Sequence, residues 1–172
     1  GVSPSNQTSY GVPNSISSDR RYILFDSDAS NLTNIPGSGG RRSYMRDTQL
    51  DTTIPIAVDR LGTQTYNGVD IPVFAGGGRY VCFVSGGNNI VANDNNNRGD
   101  VFLRDLQTNT TTLVSVDLAG NPIVNGNAEK CRITPDARYI AFSSSSTEHT
   151  TVPDNNGGGN DVFIRDMQNG TT

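Results

Sequence analysis

The pentapeptide Arg-Tyr-Ile-Leu-Phe at Arg21–Phe25 decides the fold, because the chain repeats it twice. Arg-Tyr-Val-Cys-Phe stands at Arg79–Phe83 and Arg-Tyr-Ile-Ala-Phe at Arg138–Phe142, at offsets of 58 and 59 residues. A repeat of this length is typical of stacked modules, in which the repeat unit and not the whole chain is what folds. The 172-residue chain therefore contains three units.

Two further motifs recur in step with the first. Each unit continues to an Arg-Asp motif, at Ser43–Asp47, Asp100–Asp105 and Asp161–Asp166. The segment Val58–Gly68 also resembles Val116–Gly126, which lies 58 residues later. We therefore place the approximate repeats at residues 12–68, 69–126 and 127–172 of a single domain.

The middle unit illustrates the secondary structure of a repeat. Apolar runs separated by turns rich in Gly and Asn predict four strands, at Ile71–Phe74, Arg79–Ser85, Val101–Asp105 and Thr111–Val116. The second strand is apolar on both of its alternating faces, so the sheet must be covered on both sides. Sheets of this kind in tandem build a β-propeller, each blade packing on the next. The sequence thus predicts an all-β fold of three four-stranded antiparallel meanders, each about 58 residues long.

The second strands are predicted most sharply. They are expected at Tyr22–Phe25, Tyr80–Val84 and Tyr139–Ser143, which carry the densest apolar content of each unit. Equivalent positions in a repeat have equivalent environments. We therefore expect burial of the three phenylalanines that close the motif, Phe25, Phe83 and Phe142.

The motifs of the second and third strands together resemble the TolB-like propeller repeats, a WD40-like family common in secreted and surface proteins of bacteria. Unit one departs from the pattern, because Arg42 replaces the Asp that begins the third-strand motif. Unit two also departs, with Gly76–Gly78 where the other units have Asp. The resemblance implies a propeller fold and an extracellular, cell-surface or periplasmic location.

Three blades are fewer than the four to eight of closed propellers. The outer faces of the first and third blades would then be exposed, so we expect head-to-tail self-association into a six-bladed dimer or a filament. Residues 1–11 resemble the end of an outer strand with its connector. They are a candidate complement for the third blade, whose outer strand is incomplete at Thr171 and Thr172.

The loop before the third strand carries the candidate metal ligands. Asp and Asn oxygens at alternating positions, next to Gly, are able to surround a hard cation such as Ca²⁺. The candidate ligands are Asp94, Asn96 and Asp100 in unit two and Asp154, Asn156 and Asp161 in unit three. The alternative is that these side chains only cap turn amides. No other cofactor is expected.

No residue pattern predicts catalysis. The Arg-Asp pairs recur once per unit, which favours a structural role in ending the third strand. The single histidine, His149, lies in a polar loop, and no serine stands in the strained turn of a nucleophile elbow. Cys82 and Cys131 fall on neighbouring blades, and we expect two buried thiols, with a disulfide as the alternative.

Charge and hydropathy exclude two classes of partner. The net charge is −4 and basic residues are not clustered, so a nucleic-acid surface is not expected. No apolar run approaches the 18 or more residues of a membrane span.

The sequence predicts a non-catalytic extracellular structural or binding module. The alternatives are the propeller cap of a larger hydrolase or other multidomain enzyme, or an engineered or excised half-propeller.

Overall fold

The computed structural model describes residues 6–35, 40–63, 70–155 and 158–172. The eleven strands in these residues form three antiparallel sheets, which we call blades one to three. Blade one contains β1 (Ser9–Ile16), β2 (Tyr22–Ser27), β3 (Arg42–Asp47) and β4 (Thr52–Pro55). Blade two contains β5 (Asp70–Ala75), β6 (Tyr80–Ser85), β7 (Asp100–Asp105) and β8 (Thr110–Leu113), and blade three β9 (Ala128–Ile133), β10 (Tyr139–Ser144) and β11 (Asp161–Asp166).

The all-β, propeller-type architecture is confirmed. Consecutive strands pair in every blade, so each blade is a meander, and the sheets do not close into a ring. The described residues contain no α-helix, only a short 3₁₀ turn at Gly76–Gly78, and hence no helix that would cross a membrane. The three predicted second strands are observed as β2, β6 and β10, each extended by one or two residues.

The strand register defines equivalent positions in the three blades. The phenylalanine of each second strand pairs with an aromatic residue of the third strand, and the two rings stack with centroids 5.4 to 5.8 Å apart. The pairs are Phe25 with Tyr44, Phe83 with Phe102, and Phe142 with Phe163.

The hydrophobic core lies between the blades. We call the face of a blade that contacts the preceding blade its front and the opposite face its back. Leu24 and Met45, on the back of blade one, pack against front residues of blade two that include Phe83. Leu103, on the back of blade two, packs in the same cluster as Phe142 on the front of blade three. At each interface the back of one blade packs against the front of the next. Both faces of the blade-two sheet are therefore covered, as expected from the apolar residues on both faces of its second strand.

The expected burial of the three phenylalanines holds for two of them. Phe83 and Phe142 are 0% and 1% exposed. Phe25 is only partly buried, which corrects the prediction. The reason is its place on the front of blade one, where no blade formed by the described residues covers it.

The glycine triplet of unit two allows a close contact between blades. Gly78 has φ +102°, and a Cβ atom at this position would overlap the ring of Tyr22 in blade one. The equivalent residues Arg20 and Ala137 also have positive φ, at 60° and 59°. Gly78 therefore preserves the repeated turn conformation while making room for Tyr22.

The candidate complement at residues 1–11 lies partly outside the described residues. Of the part that the structure describes, Ser9, Tyr10 and Gly11 belong to β1, the innermost strand of blade one. Tyr10 pairs with Asp26, and Gly11 pairs with Phe25. These three residues therefore form an inner strand.

Candidate functional site

Two acidic side chains of the unit-two loop are buried near each other. Asp94 is 3% exposed and Asp100 is fully buried. Burial, together with the charge of Asp100, raises the pKa of Asp94 to about 6. Burial also raises the pKa of Asp100. The charge of Asp100 disfavours the ionisation of Asp94, so a cation beside these two carboxylates would favour their ionised forms.

Asn96 acts as a turn cap in this loop. Its Nδ2 donates to Asp100 Oδ2 at 2.8 Å and to the Ile123 carbonyl at 2.9 Å, and its Oδ1 accepts from the Arg98 amide at 2.9 Å. Asp100 Oδ1 accepts from Ser115 Oγ at 2.7 Å. The amide group of Asn96 thus faces Asp100 as a donor, which fits turn capping better than cation ligation.

The corresponding loops of the other units differ. In unit three, Asp154 Oδ2 accepts from the Gly158 amide at 3.1 Å, whereas Asn156 lies outside the described residues. The register places Arg42 where Asp100 and Asp161 stand, and Arg42 is 3% exposed. Among the described side chains, no group of three or more His, Cys, Asp or Glu is arranged to hold a metal.

His149 is a core residue, although its sequence neighbourhood is polar. It is fully buried, its Nδ1–H donates to the Val116 carbonyl at 2.8 Å, and its Nε2 lies 3.0 Å from Ser144 Oγ. Its ring packs on Phe142 and Phe163, and burial lowers its pKa. The spacing from Phe142 was a usable signal, because His149 follows it by seven residues, as the buried Ile90 follows Phe83.

The expectation of two free thiols is wrong, because Cys82 and Cys131 form a disulfide between blades two and three. Their Cα atoms are 6.4 Å apart, within the range that a disulfide requires. The packing of β9 against β6 brings the two residues together. Sequence periodicity locates each cysteine on its strand but does not give the distance between blades.

The recurring Arg-Asp motif holds each blade together. The aspartate pairs with the arginine before the second strand, at 2.6 Å in blades one and two and 2.9 Å in blade three. The arginine of the motif points instead to the segment that follows the third strand, where its Nη1 donates to a threonine hydroxyl; this segment is the fourth strand in blades one and two. These donor-acceptor pairs are Arg46 with Thr53, Arg104 with Thr111, and Arg165 with Thr172. The predicted structural role is consistent with these contacts.

The back of blade three is an open apolar surface in the described structure. Val162 and Ile164 on β11 are 76% and 59% exposed. The equivalent residues of blade two, Val101 and Leu103, are 0% and 9% exposed because blade three covers them. A cavity of about 780 Å³ adjoins Val162 and Ile164 and is also lined by Val152. The back of blade three is therefore equivalent to the face of blade two that packs against a neighbouring blade.

The front of blade one is a partly open surface. Ile23 and Phe25 are partly exposed there, whereas Tyr44 on the same face is 1% exposed. The equivalents of Ile23 and Phe25 in blade two, Val81 and Phe83, are fully buried against blade one. One end of the described structure thus presents a back and the other a front, the two kinds of face that pack on each other inside it.

Comparisons with known proteins address the fold. No protein-family model matches the chain, and no curated protein matches it. A protein assigned as TolB from Agrobacterium tumefaciens superposes with a TM-score of 0.54 and 13% sequence identity, over 99% of this chain and 49% of its own. Hydrazine synthase from Kuenenia stuttgartiensis gives a TM-score of 0.47 and 16% identity, over 90% of this chain and 38% of its own.

The chain spans about half the length of the TolB structure that it resembles. The superposition extends over 99% of this chain and therefore includes all three of its antiparallel meanders. This chain has the TolB-like propeller-type fold.

Proposed function

We propose that this chain is a non-catalytic structural or binding module whose blades stack on a second copy of the chain. One observation carries the proposal: Val162 and Ile164 are exposed on the back of blade three, at positions that are buried in blade two. Exposed apolar surface of this kind marks an interaction site. The front of another blade is the occupant we propose, because blade three covers the equivalent face of blade two in this way.

The expected contact is heterologous, because a back packs on a front. A heterologous contact either closes by rotation into a ring or propagates as a filament. Two chains of three blades give six blades, within the range of closed propellers. We therefore favour the six-bladed dimer, with the filament as the alternative outcome.

We propose an extracellular, cell-surface or periplasmic location. The disulfide between Cys82 and Cys131 supports this proposal, since disulfides persist in oxidising compartments and are rare in the cytosol.

We also propose that Asp94 and Asp100 bind a Ca²⁺ ion. The proposal is supported by the presence of two buried carboxylate side chains in the same loop. The geometry of Asn96 leaves these carboxylates as the better ligands of the three.

The mass in solution tests the self-association. Light scattering behind size-exclusion chromatography should give a dimer or a larger species at micromolar concentration. Ile164→Asp places a charge in the contact and should shift the protein to monomer. Leu118→Asp is the matched control, because Leu118 is 62% exposed on a turn and does not line the cavity beside Val162 and Ile164, so its substitution should leave the mass unchanged.

A folded wild-type protein that stays monomeric throughout this concentration range would contradict the proposal. So would an Ile164→Asp variant with unchanged mass and an unchanged circular dichroism spectrum. In either case the back of blade three would not be the interface between copies.

A further inference from the structure

Two of the three arginines of the recurring Arg-Asp motif, Arg104 and Arg165, form no ion pair among the described side chains, and of these two only Arg104 is buried. In blade one, Arg46 forms an ion pair with Asp51, in the turn between β3 and β4. The equivalent turn residue in blade two is Asn109, and the two residues share a left-handed backbone, with φ 55° for Asp51 and 58° for Asn109. Arg104 therefore meets an uncharged amide where Arg46 meets a carboxylate.

Arg104 is also buried. It is 7% exposed, and burial lowers its pKa. Its Nη1 donates to Thr111 Oγ1 at 2.8 Å and its Nη2 to Asn109 Oδ1, but its buried Nε has no acceptor. None of the four ion pairs among the described side chains includes Arg104.

An uncompensated buried charge is unfavourable, and the unsatisfied Nε–H adds to that cost. A protein usually relieves such a charge by pairing it with an opposite charge. In blade two, an anion from solution is able to pair with Arg104 as Asp51 pairs with Arg46 in blade one.

The surroundings of Arg104 leave room for an anion. Arg104 lines a cavity of about 440 Å³ between the connector of blade one and the outer edge of blade two. Arg60 also lines the cavity and adds a second positive charge. The one carboxylate in the lining, Asp59, accepts the amides of Leu61 at 2.9 Å and Thr63 at 2.7 Å.

We propose that this cavity is a binding site for a small oxyanion, which Arg104 and Arg60 neutralise. Guanidinium groups are suited to carboxylate and phosphate, whose paired oxygens accept parallel N–H donors. The site is separate from the open blade faces and does not depend on self-association.

Asn109→Asp tests the site, because it restores the counter-charge found in blade one. Thermal unfolding is followed in sodium phosphate and in sodium chloride of equal ionic strength. Phosphate stabilises folded proteins in general as an excluded salt, so the difference between variants is the readout. Gln168→Glu is the control, since it makes the same chemical change at an exposed turn of blade three.

We expect phosphate to raise the melting temperature of the wild type and of Gln168→Glu by about 2–4 °C more than that of Asn109→Asp. In chloride, Asn109→Asp should melt above the wild type. Equal phosphate shifts in all three proteins would show a general salt effect and overturn the proposal.

Calorimetric titration distinguishes the sources of the oxyanion. Inorganic phosphate and acetate are titrated separately into the wild type and into Asn109→Asp. Binding of either anion with one site per chain, weakened at least about tenfold by Asn109→Asp, supports the site and identifies the preferred shape, tetrahedral or planar. Failure of both anions to bind the wild type at millimolar concentration would refute it.

Discussion

Arg79 donates through two of its nitrogens to the carboxylate of Asp105, with Nη2 2.6 Å from Oδ2, although 26 residues separate them in the chain. The same guanidinium lies over the ring of Tyr80, 4.7 Å from its centroid. Asp105 also accepts the amides of Gln107 and Thr108 in the following turn. Blades one and three repeat the ion pair and the ring contact. The Arg-Tyr dipeptide of the repeated motif therefore links the start of the second strand to the end of the third.

The ion pair of blade two should stabilise the protein only above acidic pH. Hydrogen bonds from Arg79 are the main cause that lowers the pKa of Asp105 to about 2, against 3.8 for the ordinary residue. A depressed carboxyl pKa gives stability that is present above pH 4 and lost as the pH falls toward 2. Asp105→Asn should cost about 1 kcal/mol at pH 7 and should flatten the pH dependence in that window, measured by urea unfolding. If Asp105→Asn and Arg79→Gln are additive in a double-mutant cycle, the two side chains are not coupled.

Reduction of the disulfide should destabilise the contact between blades two and three. Cys82 and Cys131 are 49 residues apart, and loop entropy predicts a loss of about 4 kcal/mol when the bond is broken. Differential scanning calorimetry with and without a phosphine reductant measures the change. The Cys82→Ala/Cys131→Ala double variant serves as the control, since reductant should not alter its melting temperature. Two titratable thiols in the unreduced wild type would contradict the bond.

Two adjacent glycines should respond differently to substitution. Gly78→Ala places a methyl group against the Tyr22 ring, and overpacking of this kind costs about 2 kcal/mol in addition to the cost of its positive φ of 102°. Gly77→Ala meets open space, so only its positive φ of 65° opposes the change, at about 1 kcal/mol. Urea unfolding compares the two variants. A larger loss for Gly77→Ala would mean that Tyr22 does not press on this turn.

Asp94 should lower stability at neutral pH. Its pKa near 6 means that the folded state holds a proton which the unfolded state, with a pKa near 3.8, has already released. Stability from this group therefore falls as the pH rises from about 4 to 6. In a chelator, Asp94→Asn should exceed the wild type by about 1–2 kcal/mol at pH 7.5 and match it at pH 4. His149 titrates in both proteins, so it cancels from the difference. A constant difference across this range would argue against the pKa shift.

Calcium should reverse the effect of Asp94. If Asp94 and Asp100 bind Ca²⁺, the ion stabilises the wild type by about 2.7 kcal/mol at a hundredfold excess over Kd, and chelation lowers the melting temperature. Asp94→Asn should lose this response, whereas Asp154→Asn should retain it and so separate the two loops. An unchanged wild-type melting curve in excess chelator would leave turn capping as the role of these residues.

The repeated motifs predicted the strands because strand formation depends on local apolar patterns and turn residues. The second strands at Tyr22, Tyr80 and Tyr139 begin where the sequence places them. Asp19 and Asp136 accept the amides of Arg21 and Arg138 and so cap the turns before β2 and β10. Turn residues are also a local pattern, so the sequence identified the unit-two loop as a set of turn caps or metal ligands. The burial of Asp94 could not be predicted in this way, because it depends on how the loop packs in the folded chain.

The number of units, the strands within each unit and the alternation that makes both faces of a blade apolar could all be predicted from the amino-acid sequence. These properties follow from residue type and spacing over a few positions. Only the tertiary structure decided which faces are covered, that Cys82 meets Cys131, and that Arg104 is buried beside an amide instead of a carboxylate. Those outcomes depend on distances between residues far apart in the chain, which are fixed by the packing of one blade on the next.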